Sequence, residues 1–259
     1  MYYITKEIKK NKDLKNILKK NINFKPIKIS KKKKYWNNEI DYSLLGNAYE
    51  LLFQIEQLKK EKRNTEFHGL KYSRGKEILL RMRDEKISSK LLSQIYKEEK
   101  NIMKYISGKK KIKISKSILF LTEISNIRND TPISKIKISK KDKKEMKYLI
   151  KNFDKKIFKK IKNSNFSYMV EAGLLIGEID ILQSKKIIDI KTTTNPTITR
   201  EIINQQILYS ILLKINTGIE IKEIGIYFQK YKKLKMLKIK KIIKNEKEII
   251  SYLQKKYRC

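Results

Sequence analysis

Asp180, Asp189 and Lys191 are the side chains of this chain whose types and spacing could do chemistry. The two carboxylates stand nine positions apart within an isoleucine-rich stretch, 178–195, that reads as two strands joined by a tight turn. Lys191 follows Asp189 by two, so on a strand the acid and the lysine point the same way. If Ser184-Lys185 forms a two-residue turn, Gln183 faces Lys186, Leu182 faces Ile187, and Asp180 lands opposite Asp189. A longer four-residue loop keeps that pairing, whereas a three-residue loop makes the acids diagonal neighbours; Ser-Lys lacks the Gly or Asn that two-residue turns favour. Like charges directly opposite destabilise a sheet unless something neutralises them. A hard cation taking oxygen ligands is the usual answer. Such an acid pair with a lysine on the same face can hold a divalent metal and a phosphate side by side.

The elements around this hairpin must position it. Pro196 ends the strand, and Thr197 or Thr199 can cap a helix running to about Thr217, with Glu201 in its first turn favouring the helix dipole. Ile203, Ile207, Ile211 and Ile215 form a core stripe at helical spacing, and Gln205 and Tyr209, four apart, share another face near Lys191. A helix over 43–62 has its stripe at Leu44, Ala48, Leu51, Ile55 and Leu58, with Glu50 beside it. Elsewhere the spacing predicts a short helical pattern at Leu14, Ile17 and Leu18, helices over 72–106, a strand at Ile118–Thr122 and a helix over 141–158 after an Asp130-Thr131-Pro132 turn. A strand over 223–230 and a final amphipathic helix from about Glu246 complete the chain. Strands alternating with helices imply an α/β sheet sandwich.

Asp180, the Asp189-Ile190-Lys191 triplet and the Gln205/Tyr209 pair together resemble the PD-(D/E)XK nuclease superfamily, and the Gln/Tyr helix looks most like its RecB-type and lambda-exonuclease-type branch. Leu45-Gly46-Asn47-Ala48-Tyr49-Glu50-Leu51-Leu52 is similar to that branch's first motif, with Glu50 where a metal-binding His, Asp or Glu stands. Two departures are Ile179 in place of Pro before Asp180 and Glu50 where many RecB-type proteins carry His. The resemblance implies a restriction-endonuclease-like mixed central sheet flanked by helices, with a helical insertion between the first-motif helix and the catalytic hairpin. It divides the chain into a basic segment, 1–42, and a nuclease-like domain, 43–259, carrying its insertion at about 72–106. It implies that Asp180, Asp189, the carbonyl of Ile190 and Glu50 bind Mg²⁺ or Mn²⁺, as one metal or two. Lys191 would orient or activate the attacking water, and Gln205 and Tyr209 would position Lys191 or the substrate phosphate. The implied activity is hydrolysis of DNA phosphodiesters, as an exonuclease or end-processing enzyme; the alternative is a catalytically inactive nucleic-acid-binding protein of the same fold.

Each of these residues also has an ordinary structural reading. Asp-Xaa-Lys is common on solvated strand faces, a Gln and a Tyr four apart are commonly surface and half-buried residues, and Glu50 can be a salt-bridging acid like Glu56 or Glu61. Composition weighs on the same question. Sixty-four Lys and Arg against 27 Asp and Glu leave a formal charge of +37, which favours a polyanion such as DNA. The richness in Lys, Ile and Asn is also what an AT-rich genome encodes, so part of that excess can be composition alone. The runs Lys31–Lys34 and Lys109–Lys113 can track a phosphate backbone, and Tyr35-Trp36 can stack bases or anchor a core. A single cysteine, Cys259, excludes an intramolecular disulfide and a four-cysteine iron–sulfur cluster and suggests a reducing compartment. A lone His68 excludes a His-rich zinc site. Neither a Gly-rich phosphate loop nor a Gly-Xaa-Ser-Xaa-Gly elbow occurs. With no signal-like segment and no long apolar run, the expectation is a cytoplasmic protein without a membrane partner.

Overall fold

The computed structural model describes residues 1–29, 42–61, 70, 72–81, 86–108, 114–127, 138–161, 164–193 and 195–259. In chain order the elements are β1 (Tyr2–Tyr3), α1 (Ile4–Lys10), α2 (Lys12–Asn21), β2 (Ile27–Lys28), α3 (Tyr42–Glu61), α4 (Ser73–Arg81), α5 (Lys86–Ile106), α6 (Ser115–Ile124), α7 (Lys140–Lys151) and α8 (Lys155–Lys160). There follow β3 (Asn165–Ala172), β4 (Leu175–Gln183), β5 (Lys186–Lys191), β6 (Thr197–Ile198), α9 (Arg200–Thr217), β7 (Glu223–Phe228), β8 (Lys233–Lys238) and α10 (Glu246–Tyr257). The protein is thus mixed α/β. It divides into two compact units, one formed by Met1–Tyr35 with Asn163–Cys259 and the other by Trp36–Lys162.

The first unit holds the six-stranded mixed sheet. Its order is β1-β4-β5-β7-β8, with β3 also paired to β4. β3, β4 and β5 form an antiparallel run, and β5 and β7 are parallel. Parallel neighbours need a long crossover, and α9 supplies it. Thr199 caps α9, its hydroxyl accepting from the Ile202 N–H, and Gly218 closes it in the left-handed conformation at φ +72°. From Ile203 to Leu213 every residue except Gln205 is buried, the pattern of a helix enclosed by core.

Residues 1–29 contribute to the core of the first unit. Ile4, Ile8, Leu14, Leu18, Ile22 and Phe24 belong to the same core cluster as α9 and the sheet, because α1 and α2 each present an apolar stripe that only this core can cover. Tyr2 and Tyr3 pair with Leu175 and Ile176 of β4, and β2 pairs with β6. Arg200 donates to the carbonyls of Ile22 and Phe24 at 3.1 and 2.8 Å. The Asn11 side chain caps α2 and donates to the Tyr257 hydroxyl, which donates to Glu7, tying α1, α2 and α10 together.

The second unit, as described, is helical. The expected strand at Ile118–Thr122 is the middle of α6, in which Ile118 to Thr122 and Ile124 are all buried. A short continuous apolar run does not distinguish a buried strand from a buried helix; here α3, α5 and α7 surround it and leave no sheet for it to join. The expected helix over 141–158 is two helices. Ser139 and Asp142 form a capping box on α7, and Asp154 caps α8 through the N–H groups of Lys156 and Ile157. Two strands of the first unit carried little sequence signal. β8 reads Lys-Leu-Lys-Met-Leu-Lys and lies at the end of the sheet order, where lysines discourage pairing with another chain. β3 is broken by a residue of unusual conformation, described below.

Lys31–Lys34, Tyr35-Trp36, His68, Lys109–Lys113 and Asp130-Thr131-Pro132 lie outside the described residues. Among the described residues no helix is long and apolar enough to cross a membrane. Leu14 and Leu18 are fully buried, so Leu14→Ala or Leu18→Ala should destabilise the first unit by about 2–5 kcal/mol, as expected for emptying a core site. Urea unfolding followed by circular dichroism checks this; a shift below about 0.5 kcal/mol would show an appendage instead.

Candidate active site

The β4–β5 turn is the two-residue one. Gln183 pairs with Lys186, Leu182 with Ile187 and Ile181 with Ile188, the last paired step before Asp180 and Asp189. Ser184 meets the turn's backbone requirement at φ +50°, a conformation that normally favours Gly or Asn. The β4–β5 ladder ends just before the two acids. Beyond it the Asp180 side chain acts as a backbone partner, its Oδ2 accepting the Ile190 N–H at 2.7 Å.

Asp189 is almost wholly buried, and Lys191, on the same face of β5, is its counter-ion. The Lys191 Nζ lies 2.9 Å from Oδ1 and 2.8 Å from Oδ2 of Asp189. Only the contact with Oδ1 has hydrogen-bond geometry, and Oδ2 is a buried oxygen without a hydrogen bond. The Lys191 ammonium at 2.8 Å is the electropositive group that compensates this oxygen.

α9 brings the third part of the site. Gln205 donates through Nε2 to the Tyr209 hydroxyl at 2.7 Å. The phenol is pushed up to about 12, first by burial and then by the negative field of Asp180 and Asp189, while the Gln205 hydrogen bond and Lys191 pull the other way. Asp180, Asp189, Lys191, Gln205 and Tyr209 are therefore one electrostatic cluster. Glu50 is on α3 of the second unit, where it is buried.

Two residues that build this cluster were not anticipated. A Cβ on Gly177 of β4 would sit 2.3 Å from Cε1 of Tyr209 and 3.1 Å from Cδ1 of Ile4. The bare backbone at 177 is what lets the phenol ring lie against the strand, and a glycine inside a strand pattern is the sequence sign of such an approach. The other is Ser167 of β3, at φ +49°. By the β3–β4 register it faces Asp180, and pairing is interrupted there while the residues on either side stay in step. Ile179 and Leu182, three apart, both belong to the core cluster, which a regular strand of period two cannot achieve. The alternation of β4 therefore breaks at Asp180–Ile181, across from the left-handed Ser167. This local irregularity turns the carboxylate of Asp180 toward β5. Ser167 carries no distinguishing sequence pattern.

Among the described residues no three His, Cys, Asp or Glu side chains are grouped to hold a metal ion. Mg²⁺ commonly takes one or two carboxylates and keeps several waters, and Asp180 and Asp189 are the carboxylates of this cluster that could serve it. Compared with protein-family models, curated proteins and solved structures, the chain matches none.

Two outcomes follow from the packing of Tyr209. Gly177→Ala should cost about 1–3 kcal/mol by overpacking, and in Gly177→Ala/Tyr209→Ala the two effects should be non-additive because they share one contact. A double-mutant cycle by urea unfolding measures the coupling, and strict additivity would remove Tyr209 from the face of Gly177. The second concerns alkaline pH. The phenol holds its proton more tightly in the folded chain than at about 10 in the unfolded one. Its stabilising contribution is complete below pH 10 and is lost as pH rises to about 12. Over that window the wild type should lose about 2–3 kcal/mol more than Tyr209→Phe, measured as the difference between their unfolding free energies at each pH.

Proposed function

We propose that this protein is a metal-dependent nuclease with a restriction-endonuclease-like core of the PD-(D/E)XK type, acting on DNA. The observation that carries the reading is that Asp180 and Asp189 stand on adjacent strands of one hairpin, just past its last paired residues, with Lys191 ion-paired to Asp189 from the same strand. Gln205 and Tyr209 stand on the helix that follows the hairpin, in the order the resemblance requires. A net charge of +37 is consistent with a polyanionic substrate.

In this reading Asp180, Asp189 and the Ile190 carbonyl would hold Mg²⁺ or Mn²⁺. When bound, such a metal supplies Lewis-acid polarisation of the phosphate and lowers the pKa of a coordinated water. Asp180 is held in place by the Ile190 N–H. Lys191, poised between Asp189 and solvent, presents its ammonium to the scissile phosphate and offsets the negative charge that grows there. Gln205 fixes the Tyr209 hydroxyl, which like any phenol holds its proton at neutral pH, so it can donate a hydrogen bond toward a carboxylate or a phosphate oxygen. Water adds to phosphorus, the bond to the leaving oxygen breaks, and the products are a phosphate monoester and a hydroxyl.

The test uses purified full-length protein with linear and circular DNA, single- and double-stranded, in Mg²⁺, Mn²⁺ or EDTA. Cleavage should require the metal and fall at least about 100-fold in Lys191→Ala and in Asp189→Asn. A requirement for ends would identify an exonuclease. Absence of cleavage with every substrate, while salt-sensitive DNA binding persists, would overturn the enzyme in favour of a binding protein of the same architecture.

A further inference from the structure

The N-terminal ends of β5 and β7 carry a cavity of about 620 Å³ that the carboxylate cluster does not use. The β4–β5 turn, the start of β7, the end of β8 with the turn after it, the C-terminal half of α9 and the first residue of α10 enclose it. Seven lysines and three glutamates line it. Two of the glutamates are already committed: Glu223 pairs with Lys186 at 2.9 Å, and Glu246 with Lys214 at 2.8 Å, which raises the Lys214 ammonium above its ordinary value. Lys185, Lys222, Lys238, Lys240 and Lys244 are left around the cavity with Glu220 as the remaining acid. All five are exposed.

Three properties separate this place from the generally lysine-rich surface. It is concave, and its size falls within the range of roughly 300–1,000 Å³ typical of small-molecule sites. It has apolar lining, from Ile221, Ile239 and Ile243, beside the charged groups. Its framework is tied by main-chain hydrogen bonds, since the Lys185 carbonyl accepts from the N–H groups of Lys222 and Glu223 at 2.8 and 3.3 Å, and the Lys222 carbonyl accepts from Ile239 at 3.0 Å. The lysines therefore spring from a fixed backbone and repel one another until an anion lies among them.

We propose that this cavity binds a nucleoside di- or triphosphate, its phosphates among the five lysines and its ring against the isoleucines. Tandem phosphates match a cluster of point-charge donors, because lysine binds phosphate as a compact ammonium and does not require the fork geometry of arginine. The apolar lining favours a ligand that carries a ring as well as charge. The proposal does not rest on the nuclease reading: Lys186 is three residues before Asp189 on β5, about 10 Å along the strand, and none of the five catalytic candidates lines the cavity.

Titration calorimetry of the full chain in EDTA tests it, with adenosine triphosphate and tripolyphosphate as ligands and duplex DNA as competitor. The nucleotide should bind once per chain and several-fold more tightly than tripolyphosphate. Lys222→Gln/Lys240→Gln should weaken it at least about tenfold. Lys97→Gln/Lys100→Gln removes the same charge from exposed positions on α5 and should change the affinity less than about twofold. Asp189→Asn should leave nucleotide binding intact even if it abolishes cleavage, so that failure of one reading is distinguishable from failure of the other. Equal weakening in both lysine double variants would overturn the proposal in favour of bulk attraction. Equal affinity for tripolyphosphate would remove the ring from it, and complete displacement of the nucleotide by duplex DNA would make the cavity part of a nucleic-acid surface.

Discussion

Two carboxylates on adjacent strands, just past the last paired residues of the β4–β5 hairpin, are the constraint that this part of the first unit must accommodate. Their repulsion opposes hairpin pairing, and each of the nearby irregularities answers it. The Ile190 N–H binds the Asp180 carboxylate, and the Lys191 ammonium lies against that of Asp189. The ladder between β4 and β5 stops where the acids begin. A fold seeking stability alone would place apolar residues there, since a buried charge is retained at a desolvation cost that a well-packed hydrocarbon avoids. Here an acid pair persists, held by the Ile190 N–H and the Lys191 ammonium.

The helix α9 works on the same problem from above the sheet. It is enclosed nearly all round, so its position is set by hydrocarbon packing through Ile203, Ile207 and Ile211 and not by its polar residues. That packing carries Tyr209 down to the bare backbone of Gly177, and the Gln205 amide then orients the phenol beside the acids. On the far side of β4, the left-handed Ser167 breaks the strand alternation at Asp180. A left-handed serine costs about 1–2 kcal/mol relative to ordinary strand geometry. The core beneath supplies that free energy. The N-terminal helices belong to this account, because Ile4 of α1 also lies against Gly177.

Charge is distributed along the parallel strands in a way that separates two chemistries. Asp189 and Lys191 of β5 and Asp180 of the adjacent β4 make two acids to one lysine; at the N-terminal ends of β5 and β7, lysines outnumber acids. Both places draw on the same strands for rigidity. The +37 charge of the chain is therefore not evenly informative: lysines on the exposed faces of α2, α5 or α7 carry no convergent geometry, whereas those around the cavity converge on one volume.

The hairpin register, the shared face of Asp189 and Lys191, and the capped helix carrying Gln205 and Tyr209 could be read from the chain because each is a local consequence of period and turn length. Period two places side chains, a two-residue turn sets which residues face each other, and Thr199 and Gly218 mark the helix ends. The identity of 118–122 could not be read so, because a continuous apolar run satisfies a buried strand and a buried helix alike until its neighbours are known. Nor could the place of residues 1–35, whose apolar stripes say that they must be covered but not by what. Gly177 and Ser167 are the clearest cases. One needs the approach of a ring from a helix some thirty positions later, and the other a left-handed conformation across from Asp180 of the paired strand β4. Sequence sets which residues can meet locally; which ones do meet across the fold is decided by packing, because the hydrophobic effect that drives it has no direction of its own.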